Sequence, residues 1–207
     1  MRRAVVVVAL VCVALGAGFP LLARDGAIRH AAERLGIMTA LPGWYQRLIY
    51  PLAYTSEIRA AAAKNHLDPA LVAAIIYQES RFDRSSGSAQ GAVGLMQILP
   101  STALDIAHTT GGTGFVVGDL DDPRVNILYG CYYLRSLLDH YHGSLVEAVA
   151  AYNAGSGRVD EWVAKAAARH QSLRTSDILF SETRNYVSDV LRLRTIYRHA
   201  YGHDLRE

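Results

Sequence analysis

Asp68-Pro69-Ala70-Leu71-Val72-Ala73-Ala74-Ile75-Ile76-Tyr77-Gln78-Glu79 is the stretch on which the fold turns. An acidic residue followed by proline opens an α-helix: the carboxylate accepts a free first-turn N–H, and the proline sits where no N–H is needed. The spacing predicts a helix from Pro69 through Glu79. Val72, Ile75 and Ile76 lie seven, four and three residues before Glu79, so the carboxylate continues the apolar face that the helix turns inward. A carboxylate there must be paired, neutralised or used.

The same punctuation recurs to both sides. Thr55 and Ser56 are placed to cap a helix through Lys64, and Pro100 with Ser101 opens one that holds Ala103 and Ile106. Asp122-Pro123 precedes a long helix whose apolar face carries Ile127, Cys131, Leu134, Leu138 and Tyr141 until Gly143 ends it. Ser144 with Glu147 reads as a capping box ahead of Leu145 to Asn153, which Gly155 stops. Val159 to Ala168 forms a further helix. Ser181 is placed to cap the last, with Tyr186, Val190, Leu193 and Tyr197 on one side until Gly202. No segment sustains strand-like alternation, so the fold class is all-α. Asp83 to Gln97 and Thr109 to Leu120, rich in Gly, Ser or Thr, interrupt the helices; loops that long usually carry function.

Composition narrows the function classes. Of 207 residues, 51% are hydrophobic and 19% charged, enough apolar surface to offset chain entropy, which excludes disorder as the dominant state. A single apolar run excludes a multi-pass membrane protein, and glycines without a triplet period exclude a collagen-like fibre. The 21 basic and 19 acidic residues give a net charge of +2 without a basic run, so no nucleic-acid partner is expected. Cys12 lies in the apolar leader and Cys131 in a helix, and the eight histidines are scattered, with His140 and His142 read as a solvated helix end. No disulfide, metal or cofactor is expected.

Met1, Arg2 and Arg3 precede the uncharged run Ala4 to Ala23, which at about 1.5 Å per residue is long enough to span a bilayer core. The pattern reads as an export signal with its N-terminus in the cytoplasm. Leu21, Leu22 and Ala23 fit a peptidase site poorly, which favours an uncleaved anchor over a removed signal peptide. Residues 24–53, with breakers at Pro42, Gly43 and Pro51, read as a stalk or membrane-proximal segment. There Trp44, Tyr45, Leu48, Ile49 and Tyr50 are expected to pack on the domain rather than rest at a membrane interface. The expected division is 1–23 anchor or signal peptide, 24–53 membrane-proximal segment, 54–201 folded domain and 202–207 tail.

Glu79 has an ordinary reading, a carboxylate reaching solvent from a helix end. A negative charge at a helix C-terminus opposes the macrodipole, however, and a glycine-rich loop follows at once. Burial and dipole both favour the protonated form, which is what a general acid needs near neutral pH.

Four strings, in order, then carry a resemblance: Glu79-Ser80-Arg81-Phe82; Gly91-Ala92-Val93-Gly94-Leu95-Met96-Gln97-Ile98 with Pro100; Ala151-Tyr152-Asn153-Ala154-Gly155; and Glu182-Thr183-Arg184-Asn185-Tyr186-Val187. Together they resemble the bacterial lytic transglycosylases of the soluble (Slt) type across roughly Tyr54 to Tyr201. The resemblance implies a lysozyme-like globular domain with long active-site loops, acting on the glycan strands of peptidoglycan. It implies that Glu79 is the sole catalytic group. As an acid Glu79 protonates the oxygen of the β-1,4 bond between N-acetylmuramic acid and N-acetylglucosamine. As a base it then takes the proton of the muramic 6-hydroxyl, which closes a 1,6-anhydro ring without water.

The resemblance also implies substrate-binding roles. Ser88 would contact the sugar or the catalytic carboxylate, Met96 and Gln97 would line the groove, Tyr152 and Asn153 would face the cleft, and Tyr186 would stand near Glu79. Plain alternatives stay open: a loop serine for Ser88, core packing for Met96, Tyr152 and Tyr186, and helix-end closure for Asn153. Asp83 and Glu147, the nearest other acids, read as a loop turn and a capping-box member rather than nucleophiles. The expected setting is the extracytoplasmic face of the cell membrane, or secretion if the leader is cleaved. Rival readings are a goose-type-like muramidase that admits water and a wall-binding module that does not cleave.

Overall fold

The computed structural model describes residues 36–206, so the apolar run Ala4 to Ala23 and its expected export or anchoring role lie outside the described residues. Among those described, no helix is long and apolar enough to cross a membrane. Nine α-helices are described: α1 (Ile37–Ala40), α2 (Gly43–Ile49), α3 (Thr55–Lys64), α4 (Pro69–Ser80), α5 (Pro100–Thr110), α6 (Pro123–His140), α7 (Leu145–Ala154), α8 (Ser156–Ala167) and α9 (Ser181–Tyr201). Short 3-10 turns occupy Val117–Asp121 and Thr175–Asp177. No strand forms among the described residues; the isolated bridges Gly87 to Val93 and Val93 to Ile98 pin the loop between α4 and α5.

The decisive stretch is the central helix. Every residue of α4 from Ala70 to Tyr77 is buried, with Ile75 and Ile76 fully so. A helix apolar all round belongs inside a core, where each fully buried isoleucine contributes about 1.5–3 kcal/mol. The Asp68 side chain accepts from Ala70 N at 3.1 Å, as the cap-proline pattern predicts. It also accepts from Arg194 Nε at 2.6 Å, which ties the start of α4 to α9 packed alongside it. The predicted stripe of α6 is buried throughout, and burial pushes the Cys131 thiol up to about 12, so it stays protonated and inert.

The hydroxyl caps are corrected. Thr55 and Ser56 lie inside α3, behind a left-handed Tyr54, and Ser181 lies inside α9 after Phe180. Ser144 makes no side-chain cap bond, and Glu147 is buried in α7, so the capping box is not formed. These helix starts follow the burial of apolar faces, which outweighs a single cap of about 1 kcal/mol.

The core also crosses the expected boundary at residue 54. Ile37, Met38, Leu41, Tyr45, Ile49 and Tyr50 join it as α2 packs on α9. Gln46 Nε2 donates to Met38 O at 2.9 Å, Tyr197 Oη to Pro51 O at 2.9 Å and Tyr201 Oη to Tyr50 O at 3.0 Å. In the C-terminal tail, Leu205 is buried too. The expectation of packing fails for two residues: Trp44 and Leu48 lie on the outer face of α2, 61% and 56% exposed.

Candidate active site

Glu79 occupies the last turn of α4. Behind it, Arg81 and Phe82 both take left-handed φ values of 53° and 66°, which turn the chain sharply off the helix. Ser80 Oγ lies 2.8 Å from Leu95 O and 3.0 Å from Ile76 O, so one hydroxyl joins the helix end to the returning loop. Phe82 closes the turn by packing between the rings of Tyr77 and Tyr197.

The carboxyl of Glu79 is half-buried and forms no ion pair among the described residues. Tyr186, on α9 and buried, donates its hydroxyl to Glu79 Oε1 at 2.5 Å. Burial raises the Glu79 pKa and the Tyr186 bond lowers it; burial wins, and the group rises from 4.5 to about 7. The phenols of Tyr186 and Tyr152 are pushed well above their ordinary value, first by burial and then by the Glu79 charge, so both remain donors. Tyr152 Oη donates to Met96 O at 2.9 Å, and its ring packs 5.3 Å from that of Tyr133.

The glycine-rich loop is held by its own side chains. Asp83 accepts from Ser85 N at 2.9 Å and Ser85 Oγ at 2.6 Å, bonds that hold it below the ordinary carboxylate range, so the expected turn forms. Ser88 Oγ accepts from Gln90 N at 3.2 Å and Ala92 N at 3.0 Å; its hydrogen bonds go to the loop rather than to Glu79. Gln97, left-handed at φ 48°, donates Nε2 to Ser86 O and Gly94 O, each at 2.9 Å, and its Oε1 accepts no hydrogen bond among the described residues. Asn153 is exposed at the end of α7, and Thr183 donates to its Oδ1 at 2.8 Å. The groove-lining expectation for the Met96 side chain gives way: it is fully buried against Gly130, whose missing side chain makes the room. What Met96 presents to the site is its carbonyl.

Sequence reasoning missed Asn126. It is 1% exposed on α6, donates Nδ2 to Val93 O at 2.9 Å and Leu120 O at 3.0 Å, and accepts Met96 N at 2.9 Å through Oδ1. A methyl group on Gly94 would collide with its amide, so the glycine is needed both for that approach and for its φ of 75°. The available signal was a polar residue one turn before Gly130 on an otherwise apolar helix face. Thr183, inside the fourth string, is a second such residue, and its hydroxyl holds the Asn153 amide.

Surface concavities open beside α3, one lined by Arg59, Leu67 and Leu205, but none of the site residues borders them. No group of three or more His, Cys, Asp or Glu side chains converges as a metal site among the described residues. The arrangement offers a carboxylic acid that carries its proton near neutral pH, with a phenol to stabilise the carboxylate left when the proton departs.

Comparison with known proteins identifies the fold and the family. Residues 56–174 match the family described as the transglycosylase SLT domain. The soluble lytic murein transglycosylase of Escherichia coli (strain K12) is 36% identical over 155 residues, 74% of this chain and 24% of that protein. A transglycosylase of Enterobacteria phage PRD1 is 37% identical over 114 residues, 55% of this chain and 39% of its own length. The crystal structure of the 70 kDa soluble lytic transglycosylase from Escherichia coli superposes with a TM-score of 0.70 at 34% identity, covering 76% of this chain and 26% of that one. The chain therefore spans about a quarter of the length of the E. coli protein. With a family match over more than half its length and the same helical fold, the chain belongs to the transglycosylase SLT domain family.

Proposed function

We propose that this chain is a peptidoglycan lytic transglycosylase that cleaves the β-1,4 bond between N-acetylmuramic acid and N-acetylglucosamine and leaves a 1,6-anhydromuramic end. The observation that carries the reading is Glu79, half-buried, raised to about 7 and bonded to Tyr186. Because Tyr186 donates to Oε1, the acid proton belongs on Oε2, which delivers it to the glycosidic oxygen. As that proton leaves, the Tyr186 bond stabilises the new carboxylate, which then accepts the proton of the muramic 6-hydroxyl. The attacking hydroxyl is already tethered to the reacting sugar, so no second carboxylate is required.

A hydrolytic muramidase would need a group to activate water or form a glycosyl ester. Asp83 is committed to Ser85 in an exposed turn and Glu147 is buried in α7, so neither supports that rival. For a module that only binds the wall, a carboxyl held protonated in the core's edge has no use. Gln97 Oε1 suits a sugar amide N–H, and Asn153 Nδ2 suits a carbonyl or hydroxyl. Ser88 and Met96 serve the site by shaping the loop, and Tyr152 by fixing the Met96 carbonyl. Peptidoglycan strands are the substrate, reached after export, with residues 1–23 tethering the chain at the outer face of the membrane.

Digestion of purified peptidoglycan followed by mass analysis of the muropeptides tests the reading. Anhydro ends, lighter than reducing ends by one water, are expected; reducing ends alone would overturn it. N-terminal sequencing of the mature protein decides between anchor and cleaved signal.

A further inference from the structure

The outer face of α2 is apolar and uncovered. Trp44 and Leu48 stand one turn apart, 61% and 56% exposed, and Ala40, Pro42 and Pro51 are exposed in the same segment. Tyr45, Gln46 and Ile49 bury the opposite face, so the helix cannot roll to hide the pair. Tryptophan, an apolar body with one N–H donor, suits the boundary between headgroups and acyl chains.

Charge around this face is sparse, with a small basic excess. Between Glu33 and Glu57 the sequence holds no acidic residue, and its charged members are Arg34 and Arg47. The end of α9 and the tail, on which α2 packs closely at Gly43, add Arg198, which pairs with Asp68 at 3.0 Å, and Arg206. The acids of that stretch are Asp204, taken up by Arg47, and Glu207. An apolar centre beside cations is the chemistry that anionic lipid surfaces select. The thirteen residues 24–36 separate the apolar run from α1 and, at about 3.3–3.6 Å each, hold this face within roughly 45 Å of the end of that run.

We infer that the outer face of α2 docks on an anionic lipid bilayer, with Trp44 and Leu48 at headgroup depth, and thereby fixes how the domain is oriented over the membrane. The nearness of the bilayer rests on the tethering proposed above; the chemistry of the face does not. The test uses the full chain with vesicles of phosphatidylethanolamine and phosphatidylglycerol whose acyl chains are brominated. Trp162, the second tryptophan, is 4% exposed, so a Trp44→Phe variant supplies the unquenched background.

Quenching of wild-type emission that disappears in Trp44→Phe, and in Leu48→Asp while that variant still floats with the vesicles, is the expected result. If Leu48→Asp instead releases the chain from the vesicles, docking stands and the tether falls. Vesicle-bound protein whose Trp44 remains open to aqueous iodide overturns the docking, and so does a Trp44 shielded from iodide without vesicles, since a second copy then covers it. Wild-type chain that does not float at all overturns both.

Discussion

Glu79 and Tyr186 meet at the short bond on which the proposed chemistry depends, and each makes a separable contribution. Glu79→Gln keeps the shape and removes the proton, so cleavage is expected to fall by about 10²–10⁴-fold or more, read from release of soluble muropeptides. Under the proposed mechanism the acid form is the active one, so the wild-type rate should decline as pH rises through about 7. The same shift sets a stability trend. The folded pKa lies above the ordinary 4.5, so between about pH 4.5 and 7 the unfolded chain binds fewer protons and stability drops as pH rises. That loss approaches about 3 kcal/mol. Glu79→Gln should therefore melt with the wild type at pH 5 and above it at pH 8, by calorimetry. Tyr186→Phe removes the bond that lowers the acid's pKa, so the alkaline limb of the rate profile should move to higher pH while turnover falls about 10–100-fold. Both residues were legible in sequence, Glu79 by its place on an apolar face and Tyr186 by the fourth string. The fates of Met96 and Asn126 were not, because a buried thioether and a buried amide are distinguished by what faces them across helices rather than by their neighbours in the chain.

At the level of elements, the two acidic caps before proline formed as read and the hydroxyl caps did not. Asp68 and Asp122 each accept a backbone N–H two residues on, while α3, α7 and α9 start without a side-chain cap bond. A carboxylate is the stronger acceptor and proline fixes the entry angle, so that pair persists where a lone serine yields to packing. The loop from Asp83 to Gln97 was legible as a loop, but the amide that organises it from α6 was not. Asn126→Ala leaves Val93 O, Leu120 O and Met96 N without their partner, and is expected to cost about 3 kcal/mol and to lower turnover by loosening the carbonyl that holds Tyr152. Two glycines of the loop should rank differently. Gly94→Ala meets the Asn126 amide as well as an unfavourable φ, whereas Gly91→Ala, at φ 81° in open space, meets the backbone penalty of about 1–2 kcal/mol alone. Thermal melts of the two variants check the order; equal midpoints would refute the role given to Asn126.

Across the whole molecule, helical class and the order of elements were readable from periodicity and punctuation, but the limits of the folded body were not. Pro42, Gly43 and Pro51 look like linker residues, yet α1 and α2 deliver Met38, Leu41, Tyr45 and Tyr50 to the core. Breakers mark where helices stop, not where a domain does. A chain beginning at residue 54 should consequently melt several degrees below one beginning at residue 36, by loss of core contacts and of the bonds from Tyr197 and Tyr201. Equal melting would make the segment an appendage after all. The partnership between the acid and its phenol spans 107 positions of the chain. A ribosome thus finishes the blade long before the grip: until α9 has been synthesised and has closed over the rest, the emerging polypeptide holds an ordinary acidic side chain in water, and the proposed cutting power comes into being only once that helix has packed.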